Sequence, residues 1–167
     1  MGNIVISIEP MSHRQIEDAK TLRSRFIHET FRAGPTTSAR IARVQAELQA
    51  RGSLSDLDDM EGAYVHGVLL AVNEEGALIG MGGVRRYSQD VCELVRMYVA
   101  PEYRRRGIGS QLIATLLDHA TGYGYTEARL TTWNECRAAE RLYRKFGFVE
   151  IARYNDDDTD LAMAKRL

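Results

Sequence analysis

The chain is 167 residues long, 44% hydrophobic and 27% charged, with 22 basic and 23 acidic side chains and a net charge of −1. That balance speaks against a general nucleic-acid or membrane-surface binder, either of which shows a basic excess, and the length fits one domain able to bury roughly 70% of its unfolded surface. Two cysteines and four histidines at no metal-ligand spacing support neither a zinc site nor a disulfide framework. No apolar run approaches the roughly 18 residues that span a bilayer, and the first residues lack the basic start and cleavage site of a signal peptide. Met1 and Gly2 resemble a myristoylation start, but Ile6 stands where Ser or Thr is required. The expected compartment is the cytoplasm.

Ile4, Ile6 and Ile8 alternate with Val5 and Ser7, which predicts an opening strand that ends near Pro10. Ser12 and Gln15 form a candidate capping box for a helix over residues 13–30, broken at Gly34 and Pro35. Ile41, Val44 and Leu48 line one side of a second helix over 39–50, stopped by Gly52. Residues 53–62 are polar and acidic and read as a loop. Strands are expected at 65–72, 78–87 and 92–99, joined closely enough to form an antiparallel meander.

The third of these strands leads into the most informative stretch. Glu93, Val95, Met97 and Val99 fall on one face by two-residue alternation, and Cys92, Leu94, Arg96 and Tyr98 on the other. Pro101 ends the pairing. Arg104, Arg105, Arg106, Gly107, Ile108 and Gly109 follow, and then Leu112, Ile113, Leu116, Leu117 and Ala120 recur at helical spacing. A helix start leaves four N–H groups without partners and carries about half a unit of positive charge, so this junction is a prepared anion site. R/Q-x-x-G-x-G alone arises by chance in roughly one chain in ten of this length. The strand directly before it and the amphipathic helix directly after it give it weight. Ser110 and Gln111 stand where a Walker loop needs Lys and then Ser or Thr, and Leu112 stands where a dinucleotide fingerprint needs a third small residue.

A strand over 127–133 then completes a strand-helix-strand unit, which implies a right-handed crossover and a parallel pair bracketing the anion site. Ala138, Ala139, Leu142, Tyr143 and Phe146 mark one side of a short helix stopped by Gly147, and residues 148–154 and 160–167 form a terminal hairpin. The expected architecture is α/β: a mixed, mostly antiparallel sheet of six to seven strands with helices on both faces, in one domain.

The run from Glu93 to Gly109, followed by Leu142-Tyr143-Arg144-Lys145-Phe146-Gly147-Phe148, resembles the GNAT superfamily of acyl-CoA N-acyltransferases. The resemblance covers about Tyr64 to Leu167; before that, the chain matches only in order of elements. It implies a GNAT fold and acetyl-CoA as co-substrate, with no metal. It also implies that the amides of Arg105, Arg106, Gly107, Ile108, Gly109 and Ser110, beside Arg104, hold the coenzyme pyrophosphate. Met97, Tyr98 and Val99 are implied to pair with the pantetheine arm as another strand would. One position departs from the pattern: many members carry asparagine seven residues before the tyrosine, where this chain has Cys136, with Asn134 two residues earlier. Either residue is a candidate for that contact.

Amine acylation by a thioester needs a neutral amine, a polarised carbonyl and a protonated leaving thiolate. An alkyl amine is neutral in about one molecule in 2,500 at pH 7, so a base has a clear task. Glu93 is the candidate, on a face where poor solvation would raise a carboxyl's pKa; the competing assignment is an edge carboxylate paired with Arg96 or Arg129. The resemblance puts Glu93 at the position of the catalytic glutamate in part of the family, and Tyr143 at that of the general-acid tyrosine. A backbone N–H of the 97–99 segment would polarise the carbonyl. Cys136 as a covalent acyl carrier is the rival to direct transfer in a ternary complex.

The acceptor is expected to be a small-molecule amine, with a protein lysine or N-terminus as the alternative and a non-catalytic acyl-CoA sensor as a further one. By fold analogy its site draws on the first helices and the terminal hairpin. Phe26 and Phe31 are candidates for an apolar wall, and Asp156, Asp157, Asp158 and Asp160 for attraction of a cationic amine. Neither nucleic acid nor membrane is an expected partner, and a homodimer stays open.

Overall fold

The computed structural model describes residues 5–32, 37–50, 55–157 and 159–167. Seven strands make one sheet: β1 (Ile6–Pro10), β2 (Val68–Glu74), β3 (Ala77–Arg86), β4 (Val91–Val99), β5 (Glu127–Thr132), β6 (Val149–Ile151) and β7 (Leu161–Arg166). Their order is β1-β2-β3-β4-β5-β7-β6. Every pairing is antiparallel except β4 with β5, the parallel pair that the crossover implies. Among the described residues six α-helices accompany the sheet: α1 (Ile16–Thr30), α2 (Thr37–Ala50), α3 (Ser55–Asp58), α4 (Met60–Ala63), α5 (Ile108–Gly122) and α6 (Arg137–Lys145).

The stretch expected as a loop over 53–62 thus holds two short helices within its described part. Asp59 caps the second by accepting the Gly62 N–H at 3.0 Å, a side-chain cap that periodicity does not reveal in a four-residue helix. The predicted break at Gly34 and Pro35, the stop at Gly52 and the position of Asp158 lie outside the described residues. At the other predicted helix start, Ser12 N–H donates to Gln15 Oε1 at 3.1 Å, and a short 3₁₀ turn over His13–Gln15 precedes α1.

One face of the sheet carries α5 and α6. Ile108, Leu112, Ile113, Leu116 and Ala120 of α5 are buried there against Leu70, Val72, Val84, Cys92 and Leu94, with Tyr143 and Phe148 closing the far end. The other face carries α1, α3 and α4, where Ala19, Leu22, Leu57 and Tyr64 meet Leu69, Ala71, Met81 and Tyr98. Gly82 allows the first layer to close: a Cβ there would lie 2.7 Å from Met97 Sδ and 3.1 Å from Leu112 Cδ2.

Strict alternation along β4 fails at one residue. Register with β3 shifts between Met81 and Gly83, and Arg96 has φ +59, so β4 carries a bulge. Glu93 and Val95 keep the α1 face, but Met97 and Val99 turn to the α5 face and Tyr98 to the α1 face. This corrects the expected grouping of Glu93, Val95, Met97 and Val99, because a bulge adds one residue and inverts the phase of everything after it.

The bulge is held from outside the sheet. Arg96 Nε and Nη2 donate to Asp56 Oδ2 and Oδ1 at 3.0 and 2.5 Å, and the Tyr64 hydroxyl donates to Asp56 Oδ2 at 2.8 Å. Asp56 is buried at 8% exposure and Arg96 is largely covered at 11%. Burial alone would raise the Asp56 carboxyl; the Arg96 pair and the Tyr64 hydroxyl outweigh it and hold the group below the usual carboxylate range. A carboxyl lowered on folding stabilises above about pH 4 and loses that contribution as pH falls through its folded value. Asp56→Asn, which leaves Arg96 buried without its counter-charge, is expected to cost about 3 kcal/mol in urea unfolding at pH 7. The gap from the parent protein should narrow below about pH 4. A gap that stays constant with pH would show that the ion pair is not what stabilises the bulge.

Candidate functional site

Beyond Glu93 the two parallel strands separate. β4 and β5 pair only at Val91–Glu127, Cys92–Ala128 and Glu93–Arg129, and past the bulge β4 runs on without β5 beside it. A cavity of about 410 Å³ opens in the gap. Glu93, Val95, Met97 and Tyr98 of β4 line it, with Arg85 and Met81 of β3, Thr131 and Thr132 of β5, Trp133, Phe26 of α1, and Cys136, Ala139 and Tyr143 around α6. Glu93 and Tyr143 therefore face one space although they stand fifty positions apart, with all of α5 between them.

Glu93 is 5% exposed, yet its carboxylate is well supplied with donors. Arg85, its direct cross-strand neighbour, donates from Nε at 2.9 Å and Nη2 at 2.6 Å to Oε2. The Tyr154 hydroxyl donates to Oε1 at 2.8 Å. Arg85, rather than Arg96 or Arg129, is the ion partner: Arg96 is committed to Asp56, and Arg129 to Glu127 at 2.5 Å. The apolar surroundings expected of Glu93 from alternation belong to Val95 alone. The β3–β4 register carries the signal for Arg85 once the turn is placed. Tyr154 gives none, because it lies in the irregular segment after β6.

Tyr143 is buried at 6% exposure and packs edge-on against Phe148 with ring centroids 6.0 Å apart. Burial, and then the neighbouring Cys136, push its phenol well above the ordinary value. Cys136 also lines the cavity. Its thiol is raised by burial, while the Thr132 and Thr30 hydroxyls pull the other way. Asn134 is exposed, does not line the cavity, and donates its backbone N–H to Asp160 Oδ2 at 2.9 Å. Of the two positions weighed for the coenzyme arm, the cavity thus contains Cys136.

The junction expected to bind an anion lies where β4 hands over to α5. Pro101–Tyr103 makes a 3₁₀ turn. Arg105 and Gly107 then take positive φ, +61 and +77, and Gly107 caps α5 in the left-handed region that glycine enters without penalty. A Cβ at Gly107 would meet nothing within 4 Å, so open space lies over the turn. The Gln111 N–H closes a bond to Gly107 C=O at 3.1 Å, and the amides of Ile108, Gly109 and Ser110 before it are the unpaired donors of a helix start. Two of the three arginines are tied to carboxylates rather than projecting freely. Arg104 donates to Glu29 of α1 at 2.5 and 3.0 Å and to Val99 C=O at 2.8 Å; Arg106 donates to Glu74 at 2.5 Å. Arg105 is exposed. An unpaired strand edge leading to a helix start with open amides fits a phosphorylated, strand-like arm.

Of the aromatic candidates, Phe26 lines the cavity and stacks between Tyr98 and Trp133, with centroids at 5.4 and 5.8 Å. Phe31 lies behind it at 3% exposure, packed with Ile27, Ile41 and Val44. Asp157 borders the cavity but accepts from Thr131 Oγ1 at 2.6 Å, Asn155 Nδ2 at 3.1 Å and the Thr159 N–H at 3.1 Å, which builds the hairpin turn. Asp156 is exposed. Among the described residues no cluster of His, Cys, Asp and Glu could hold a metal ion, and no helix is long and apolar enough to cross a membrane.

Comparison with known proteins matches residues 30–148 to the model of the acetyltransferase (GNAT) family. An uncharacterized N-acetyltransferase of Schizosaccharomyces pombe is 33% identical over 91 residues, 53% of this chain and 56% of that protein. The chain spans about half the length of the first curated relatives it matches. Among solved structures, a GNAT-family acetyltransferase from Staphylococcus aureus Mu50 superposes with a TM-score of 0.79 at 18% identity, covering 97% of this chain and 99% of that one. The PaiA N-acetyltransferase of Thermoplasma acidophilum, solved in complex with coenzyme A, superposes with a TM-score of 0.73 at 20% identity, covering 98% and 100%. At these identities the likeness shows the fold.

Tyrosinate absorbance tests the environment of Tyr143. Its raised pKa predicts that Tyr143→Phe leaves the amplitude of the transition near pH 10 unchanged, because the buried phenol does not ionise there in the folded state. The missing tyrosine should appear only in the unfolded chain, and loss of one tyrosine's amplitude near pH 10 in the folded variant would contradict the assignment.

Proposed function

Because the chain belongs to the GNAT family of acetyltransferases, we propose that it transfers the acetyl group of acetyl-CoA to a primary amine of a small molecule, by direct attack in a ternary complex. The observation that carries this is the shared cavity: a carboxylate and a buried phenol face one gap beside β4, the strand whose chain continues through one turn into the start of α5. Acetyl-CoA supplies an activated thioester carbonyl. The amides of Ile108, Gly109 and Ser110, with Arg105 at the rim, bind its pyrophosphate, while the free edge of β4 past the bulge aligns the arm.

On this proposal Glu93 Oε1 takes the proton of the incoming ammonium. Arg85 and Tyr154 fix the carboxylate, so the oxygen facing the amine is set before the amine arrives. The amine nitrogen bonds to the carbonyl carbon and the carbon–sulfur bond breaks. Tyr143 gives its proton to the leaving sulfur and is restored from the second proton of the nitrogen. The phenol, raised by burial, is a weaker acid than the thiol, so its proton moves to sulfur as the nitrogen's second proton moves to the phenol oxygen.

Calorimetric titration with acetyl-CoA, paired with free-thiol release across a panel of amines, tests the whole; absence of binding at millimolar coenzyme would overturn it. Glu93→Gln is expected to lower kcat roughly 100-fold at pH 7 with coenzyme affinity nearly unchanged. A fall in affinity and thermal stability instead would make Glu93 structural. Tyr143→Phe should slow thiol release with normal binding, and an unchanged rate would remove its role as acid.

A further inference from the structure

Building on the proposed amine acetylation, the supply of donors and acceptors around Glu93 narrows the acceptor's chemistry. Four carboxylates line the cavity: Glu47, Asp56, Glu93 and Asp157. An ionised carboxylate has about four lone-pair sites. Asp56 gives three to Arg96 and Tyr64. Asp157 accepts from Thr131, Asn155 and both the N–H and the hydroxyl of Thr159. Glu47, on α2, lies 3.8 Å from Arg43, beyond hydrogen-bond distance, and among the described residues keeps its acceptor sites open. Glu93 gives both sites of Oε2 to Arg85 and one of Oε1 to Tyr154, which leaves a single position on Oε1.

Arg85 keeps a donor open beside Glu93. Arg85 spends two of its N–H groups on Glu93. Its Nη1 makes no hydrogen bond among the described residues, and its side chain is 44% exposed. Arg23, 9% exposed, lines the same cavity; burial, and then repulsion from Arg96, lower its guanidinium to about 10. An anion entering here would meet an open guanidinium edge with a second guanidinium on the same wall, beside a carboxylate with one acceptor position to offer.

We propose that the acceptor is an amine bearing its own carboxylate one carbon away, the α-amino-acid class, with Arg85 taking the carboxylate and Glu93 Oε1 the amine. Arg85 and Glu93 are opposite each other in register on β3 and β4, so they suit a ligand whose two charges are adjacent. A diamine would bring a second cation against Arg85, and a peptide N-terminus would bring a neutral amide where the carboxylate belongs. The reaction balances as before: the new bond is N–C, the broken bond is C–S, and of the two protons that leave the ammonium one reaches solvent through Glu93 and one reaches the thiolate by way of Tyr143.

The test compares common α-amino acids, their α-amides, their decarboxylated amines and short peptides as acceptors for the full chain with acetyl-CoA, read as free-thiol release, with coenzyme affinity measured separately by calorimetry. At least one acid is expected to exceed its amide and amine in kcat/KM by about tenfold or more. Arg85→Gln should bring that ratio close to one, whatever its absolute rate. Amides, amines or peptides turned over as well as the acids overturn the proposal and leave acetyl transfer standing. A preference for the acid that survives Arg85→Gln, or coenzyme binding with no acid turned over, overturns the proposal as well. Absence of coenzyme binding overturns the parent assignment along with it.

Discussion

The cleft depends on one buried ion pair. Arg96 occupies a left-handed backbone conformation inside a strand, which costs about 1 kcal/mol for a residue with a Cβ, and Asp56 grips its guanidinium at two points from a helix outside the sheet. The bulge fixed there turns Met97 and Val99 under α5 and bends β4 off the line of β5. Were β4 to alternate strictly, nothing in its backbone would stop it from pairing with β5 along its length, and the gap in which Glu93 and Tyr143 meet would close. Gly82 completes the device on β3, since a side chain there would strike Met97 at the point where the bulge delivers it.

A second tie links α1 to the turn before α5. Glu29, near the end of α1, accepts Arg104 twice and the Tyr98 hydroxyl at 3.1 Å, and Arg104 in turn holds the last carbonyl of β4. The helix that contributes Phe26 to the cavity wall is therefore fastened to the turn whose amides are proposed to bind the pyrophosphate. Arg104 acts here as a staple between elements, and the positive potential at the helix start comes from the amides themselves with Arg105 above them.

Most of the fold was legible because its signals are local. Alternation in residues 78–87, the glycines at 107 and 109 and the helical spacing after them give strands, turn and helix with boundaries off by a residue or two, and the helix length dictates the parallel crossover. The inverted face of Met97 and Val99 was not legible: a bulge leaves no mark in composition, and the residue that stabilises it, Asp56, lies forty positions away in a segment that reads as loop. The partners of Glu93 divide in the same way. Arg85 follows from hairpin register, while Tyr154 reaches Glu93 from an irregular stretch after β6, where no periodicity fixes direction. Phe31 illustrates the converse, since a large apolar residue near a cleft is as well suited to the core behind its wall as to the wall.

The corner formed by Cys136 and Tyr143 bears on the choice between two chemical routes. Burial raises both groups, the thiol against the weaker pull of two hydroxyls and the phenol with Cys136 as the secondary influence. A place that disfavours negative charge on one sulfur disfavours it on any sulfur brought there. Cys136 is thereby a poor nucleophile, because an acyl carrier must first become a thiolate. The same environment favours, on the proposed reaction, protonation of a coenzyme thiolate expelled beside Tyr143. On the proposed reaction, one desolvated corner therefore opposes a covalent intermediate and favours release of the thiol, and both effects point to direct transfer.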